Sequence, residues 1–443
     1  MDPITLGRRA WLSSMGATAA SLVLTRTVFG TQPAGSAGTW RNDFPALGQL
    51  VNGKPLAYLD SAATTLRPAT VIEAIAGYYR TVNANPSATL HTLARRSAEE
   101  YAAARTTVAR FINADPHEII WTRGTTEGIN LFASSWGGAN LRPGDEILVS
   151  IAEHYSNWLP WRAVAQRTGA TVRVFDVQDD GRLNLTDLER LLSPRTRLVA
   201  VSHVSNVLGL INPIAEVVRR ARSVGAQVLV DAAQSVPHLA VDVKALGCDF
   251  FVFSSHKMLG PMATGVAWAR REILEAMPPY QTGSNMAHDV TLDNAVFEHD
   301  GQKFQAGTPN VSGPIGLAAA CAYLTGLGRS AIAAHEHALT TRALDVFKRV
   351  RGLKLIGSTT ADDRVPVFCF TIDGVPVPAI VKALDDEGIA IRGGDMAALP
   401  LLERFGTKAA ARVSAYLYNT VEDIDRLGEG VGTLFSKQGR RLR

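Results

Sequence analysis

Cysteine is scarce in this chain: Cys248, Cys321 and Cys369 are the only three in 443 residues. They show no C-x-x-C spacing and lie in apolar surroundings, which excludes a disulfide framework and a thiolate metal centre. Each is expected to be a small core residue. An excess of one charge is also lacking. Lys and Arg number 45 against 41 Asp and Glu, a net +4, and Arg8, Arg9 and Arg26 against Asp2 supply half of that before the folded part begins. This is no nucleic-acid footprint. The N-terminal apolar stretch is too weakly apolar, and too interrupted by Arg26, for a membrane span, so no stable membrane insertion is expected. The one His-rich spot, His335-Glu336-His337, is not a zinc motif, because residues i and i+2 leave a helix on different faces. It is expected to be solvated at the surface, and no metal site is expected.

What is present is a large apolar complement, 46% hydrophobic with 19% charged, enough to bury a sizeable core. Ahead of it, Gly7-Arg8-Arg9-Ala10-Trp11-Leu12 leads into a mildly apolar Ala/Ser/Gly/Leu stretch with small residues near Gly30 and Ala37. The pattern resembles a twin-arginine export signal. Residues 1–37 are therefore expected to be signal and linker, read by the Tat export machinery. The protein would fold in the cytoplasm and work in the periplasm. The competing reading is a disordered or amphipathic N-terminal arm.

The chemistry concentrates in Val228–Lys257. Val228–Val230 and Phe250–Phe253 are short, β-branched or aromatic runs of the kind that form buried parallel strands. Asp231 ends the first, and Ser254, Ser255, His256 and Lys257 end the second. Both groups thus fall at carboxyl strand ends, where open α/β sheets bind ligands. A desolvated lysine there can lose its proton and form a Schiff base, while an acid across a pyridine ring keeps the ring nitrogen protonated. The alternative for the pair alone is a structural ion pair at a strand edge.

Other segments supply matching parts. Arg123-Gly124-Thr125-Thr126-Glu127-Gly128 turns from a strand at Glu118–Trp121 into a helix expected to begin near Ile129, offering N–H groups, hydroxyls and a positive dipole end to a phosphate. A strand at Glu146–Ile151 ends in Glu153-His154-Tyr155-Ser156-Asn157, and one at Leu198–Ser202 ends in His203-Val204-Ser205-Asn206. Gly265–Ala269 is expected to continue the sheet, and strands and helices alternate from Glu118 onward.

Read together, Asp231-Ala232-Ala233-Gln234 followed by Ser254-Ser255-His256-Lys257 resembles the class V aminotransferase family of fold-type I, closest to SufS-type cysteine desulfurases and selenocysteine lyases. The resemblance covers about Phe44 to Leu434. It implies an α/β fold with a large domain at 38–325, carrying a mostly parallel seven-stranded sheet, and a small C-terminal α/β domain at 326–443. The N-terminal segment, with a strand at Leu56–Leu59 and a helix at Ala69–Tyr79, would contribute to the small domain. The implied cofactor is pyridoxal 5′-phosphate. Lys257 and His154 are the implied catalytic residues, with Thr125, Thr126, Asn206, Asp231, Gln234, Ser254 and His256 also holding the cofactor. Thr308, in Phe304-Gln305-Ala306-Gly307-Thr308-Pro309-Asn310, would contact the phosphate bound in the neighbouring subunit, which implies a homodimer with shared active sites. His91, Asn206, Arg392 and Arg412 are the implied substrate residues, with Arg412 gripping an α-carboxylate as a planar fork.

Two substrate-side segments depart from the family. Ser87 and Ala88 replace the histidine and arginine of a desulfurase segment N-x-H-R-G-x-H. Arg392-Gly393-Gly394-Asp395-Met396-Ala397-Ala398-Leu399-Pro400 stands where desulfurases carry R-T-G-H-H-C-A-M-P, so Ala397 occupies the place of the sulfur-accepting cysteine. A methyl group can neither attack nor carry a persulfide. The expectation is an exported PLP enzyme acting on a small-molecule or peptide-borne amino-acid group, by transamination, similar to periplasmic aminotransferases that tailor peptide siderophores. Alternatives are C–S or selenocysteine lysis without a protein persulfide, epimerisation, and a cofactor-binding scaffold without activity.

Overall fold

Seven short apolar runs assemble into one sheet in the computed structural model, which describes residues 37–87 and 90–441. The strands are β1 (Ile119–Thr122), β2 (Glu146–Ser150), β3 (Thr171–Phe175), β4 (Thr196–Ser202), β5 (Gln227–Asp231), β6 (Phe250–Ser254) and β7 (Gly265–Ala269). Their spatial order is β1-β7-β6-β5-β4-β2-β3. Every residue of β2, β6 and β7 is buried, as expected of strands covered on both faces. Pairing from β3 through β2, β4, β5 and β6 is parallel, whereas β7 runs against both of its neighbours. The reversal follows from the connection: residues 255–264 are too few for a helical crossover, which takes about a dozen or more. The short return also keeps residues 255–257 at the carboxyl end of β6.

Of residues 1–37, read as export signal and linker, 1–36 lie outside the described residues, as does Ala88. The helix read at Ala69–Tyr79 is α1 (Ala69–Thr81), followed by α2 (Thr92–Phe111). The helix expected near Ile129 begins four residues earlier, as α3 (Thr125–Phe132). The Gly-Thr-Thr sequence is therefore its first turn and not a linker to it. Helix α4 (Ser312–Leu327) is apolar around its circumference and is buried against α1 and α2, the behaviour of a helix without a polar face. No single described helix is long and apolar enough to cross a membrane.

A second, antiparallel sheet forms from β8 (Leu353–Leu355), β9 (Val367–Ile372), β10 (Arg392–Gly394) and β11 (Ala410–Ser414), in the order β8-β9-β11-β10. The N-terminal segment is stitched to this region. Ala57–Tyr58 pairs in parallel with Ile389–Ala390, and Asp60 bridges to Ser414.

The three cysteines are free and buried. Burial pushes the Cys248 and Cys369 thiols up to about 12, so both stay protonated and unreactive at neutral pH. The His335–His337 spot is corrected by the structure. Glu336, on α5 (Arg329–Arg349), is buried and its Oε1 lies 2.8 Å from Nδ1 of buried His238, while His335 is half-buried beside the Asn419 carbonyl and only His337 is exposed.

Candidate active site

The carboxyl ends of β4, β5 and β6 open into a cavity of about 440 Å³. Its walls include Thr125, Thr126, His154, Asn206, Asp231, Gln234, Ser254, His256, Lys257, Arg392 and Arg412. Segments distant in sequence thus converge on one space, as the strand-end rule requires.

Lys257 sits in the tight turn that follows β6. The turn is clasped from outside: the His256 carbonyl accepts from the Thr65 N–H at 2.9 Å, and Thr65 Oγ1 accepts from the Leu259 N–H at 2.9 Å. Burial pushes the Lys257 ammonium down to about 8, against the opposing pull of Asp231. Burial raises the Asp231 carboxyl, which the Ala233 N–H at 2.9 Å and Lys257 partly offset. A fraction of Lys257 is therefore neutral at physiological pH, the state a nucleophilic amine needs.

His154 lines the same wall. Its Nδ1 accepts the Ser156 N–H at 3.1 Å, so the ring hydrogen lies on Nε2. Burial, with Lys257 and Arg412 nearby, pulls its pKa down to about 4. The imidazole is a neutral, flat surface at pH 7. Glu153 lies behind it, fully enclosed, accepting from Asn157 Nδ2 at 2.7 Å and Ser202 Oγ at 3.3 Å. Burial pushes its carboxyl up to about 8.

The first turn of α3 forms the opposite end. Ser254 Oγ accepts the Thr125 N–H at 2.8 Å and lies 2.8 Å from Thr125 Oγ1, and Thr126 Oγ1 lies 2.8 Å from Ser156 Oγ. Space here is tight. Gly124 has φ +150, and a Cβ on Gly265 would meet the Gly124 Cα at 2.4 Å, so glycine is required at both positions for β7 to run beside the turn.

The substrate side is held by ion pairs that the sequence did not display. Arg412 is buried and donates to the Asn206 carbonyl at 3.1 Å and to Asp60 Oδ1 at 3.2 Å. Its Nε is buried without a partner among the described residues. Arg392 donates to both oxygens of Asp60, at 3.1–3.2 Å. The Arg392–Leu399 loop is pinned over the cavity: Tyr155 N–H donates to the Ala397 carbonyl at 2.8 Å, Asn206 Nδ2 to the Met396 carbonyl at 2.8 Å, and Tyr155 Oη to Asp395 Oδ2 at 2.7 Å. Met396 and Ala397 both hold left-handed backbone, at φ 54 and 53. Among the described residues lining the cavity there is no cysteine.

Two expected residues are not brought to this cavity by their own chain. His91 caps α2, its Nδ1 accepting the Ala94 N–H at 3.3 Å, and Thr308 is exposed beyond the cavity wall. Asp60, Tyr155, Asp395 and Ser202 belong to the site but were not singled out from the sequence. Asp60 alone had a local signal, as an acid ending a short strand.

The class V aminotransferase family model matches residues 57–427. The chain is 44% identical over 410 residues to a cysteine desulfurase of Synechococcus elongatus, covering 91% of this chain and 65% of that protein. It is 46% identical over 389 residues to a probable cysteine desulfurase of Halalkalibacterium halodurans, covering 88% of this chain and 95% of that one. The crystal structure of the Escherichia coli cysteine desulfurase CsdA in its S-sulfonic acid form superposes with a TM-score of 0.84 at 36% identity, over 91% of this chain and 99% of that one.

The chain belongs to the class V aminotransferase family. It is a fold-type I, pyridoxal phosphate-dependent enzyme with cysteine desulfurase homologues. The residues present fit that cofactor. Lys257 would hold it covalently, Asp231 would face its ring nitrogen, His154 would lie against its ring, Gln234 would reach its ring hydroxyl, and the Ser254, His256, Thr125 and Thr126 cluster at the start of α3 would receive its phosphate. The fit is tested by the donor set itself: a buried acid, a depressed lysine, a neutral imidazole and a hydroxyl-lined helix start all face one cavity.

Proposed function

We propose that this enzyme acts on the amine of an amino-acid group, carried by a small molecule or a peptide, and transaminates it without sulfur relay. The observation that carries this reading is Ala397, in a loop pinned over the cavity by Tyr155 and Asn206. A sulfur relay needs a thiol that reaches the substrate, and this loop has neither the thiol nor the freedom. Arg412 takes the substrate carboxylate through the donors it has left, and Asn206 holds the loop closed above it. The cofactor, when bound, supplies an electron sink for charge developing at the α-carbon. Lys257 Nζ takes the α-hydrogen as a base, which its depressed pKa of about 8 favours. Delivery of that proton to a different carbon, followed by addition of one water, would leave the substrate as a ketone and its nitrogen with the cofactor, whereas return of the proton to the α-carbon would be epimerisation. Neutral His154 excludes water from the ring face.

A second reading is C–S or C–Se cleavage that releases sulfide or selenide directly. The names of the relatives favour it. Titration of the holoenzyme with a panel of amino acids, following the cofactor spectrum and free sulfide together, separates the two. Conversion to the amine form of the cofactor without sulfide supports transamination; sulfide from cysteine or cystine with the original spectrum regained supports lysis.

The proposal extends to location and assembly. The Gly7-Arg8-Arg9 motif supports Tat export and action in the periplasm, to be checked by fractionation against an Arg8→Lys/Arg9→Lys variant. The position of Thr308 outside its own chain's cavity supports a homodimer in which it serves the neighbouring site. Light scattering of the holoenzyme tests it.

A further inference from the structure

Asp60 takes hydrogen bonds from two guanidinium groups at once, in a place where the substrate carboxylate is expected. Arg392 forks onto both of its oxygens at 3.1–3.2 Å, and Arg412 reaches Oδ1 at 3.2 Å. Two like charges are thereby held side by side at the cavity wall. The two arginines differ in surroundings: the Arg412 side chain is 3% exposed and that of Arg392 is 48% exposed. Arg412 also has slack in its bonding. Among the described residues, two of the five guanidinium donors are used and the buried Nε has no partner. A buried donor left unpaired costs free energy until something accepts from it.

We propose that Asp60 is an internal stand-in for the substrate carboxylate: it keeps Arg412 and Arg392 compensated and aligned in the empty site, and it competes with the incoming carboxylate for them. Asp60 is a positioning and selectivity residue, not a catalytic one. Its single charge offsets one of the two arginines, so the pair presents about one net positive charge to a ligand, suited to one carboxylate. The inference rests on the reading of Arg412 as the carboxylate grip.

The test uses holoenzyme and propionate, a carboxylate without an amine, read by perturbation of the cofactor absorbance and by the propionate-dependent rise in Tm. Removing the internal competitor in Asp60→Asn should tighten propionate binding by about tenfold, raise Tm with propionate more than in the parent, and lower kcat for an accepted amine because Arg392 loses its anchor. Asp60→Glu, which keeps the charge, should stay near the parent in propionate affinity. Arg392→Ala leaves Asp60 wholly to Arg412 and should weaken propionate binding, and adding Asp60→Asn to it should restore that binding. Unchanged or weaker propionate binding in Asp60→Asn, or no restoration in the double variant, overturns the proposal. Arg412→Ala separates the underlying reading: if it leaves propionate affinity unchanged, Arg412 is not the grip; if it abolishes binding while Asp60→Asn has no effect, only the stand-in role fails.

Discussion

The phenol of Tyr155 donates a 2.7 Å hydrogen bond to Asp395, tying the residue that follows His154 to the loop that carries Ala397. The acid is held ionised, its pKa lowered by the Tyr155 hydroxyl and the Ala397 N–H. A loop that must swing a thiol would be poorly served by this clasp. Tyr155→Phe should cost about 1 kcal/mol of stability, speed hydrogen exchange at residues 395–399, and raise KM several-fold with little change in kcat. Steady-state kinetics with exchange mass spectrometry checks it.

A thiol placed at position 397 should not create a sulfur relay. Ala397→Cys incubated with cysteine is expected to form no more than about a tenth of an equivalent of persulfide, because the pinned loop does not present the sulfur in line with its donor. Sulfane-sulfur labelling and mass spectrometry give the stoichiometry.

Lys257 is to be tested twice. Lys257→Ala should abolish the visible band of the lysine-bound cofactor and all turnover; a retained band would put the covalent link elsewhere. The cofactor-free protein tests the buried charge. With the folded pKa at about 8 against an ordinary lysine value of 10.5, the unfolded chain holds a proton between those values that the folded chain has lost. Stability from this group therefore rises with pH across that window, and its cost is fully present below about pH 8. Lys257→Met should raise the Tm of the cofactor-free protein at pH 7 by about 2–4 °C and flatten this part of the pH profile.

Glu153 behaves oppositely. Its folded pKa of about 8 lies above the ordinary glutamate value of 4.5, so its contribution is fully present below pH 4.5, declines from there, and is lost as the pH passes about 8. Glu153→Gln keeps the hydrogen-bonding shape facing Asn157 and Ser202 and should remove that decline. Thermal melts from pH 5 to 9 measure it, and an unchanged slope would place the ionisation elsewhere.

Much of the cofactor side was legible in the sequence because its residues sit at ends of apolar runs. Asp231 and Lys257 follow the strand-end rule, and their segments converge on the same cavity. The reversed direction of β7 needed the short connection after β6 to be weighed against crossover length. Glu336 shows a different limit: helix geometry correctly separated His335 from His337, but the burial of the face between them depends on His238, 98 residues away. Asp60, Tyr155 and Asp395 went unmarked for the same reason. Their meaning lies in partners that local pattern does not name.

The Asp60 bridge also sets an order of events during synthesis. Its partners follow it by 332 and 352 residues, so a chain growing at about 5–20 residues per second carries Asp60 unpaired for roughly 20–70 s. Until Ile389–Ala390 is made, the strand at Ala57–Tyr58 lacks its neighbour, and until β11 follows the cavity lacks a wall. The enzyme can close around its cofactor only near the end of translation, and a ribosome stalled before Arg412 would display a nascent chain whose substrate wall is still missing.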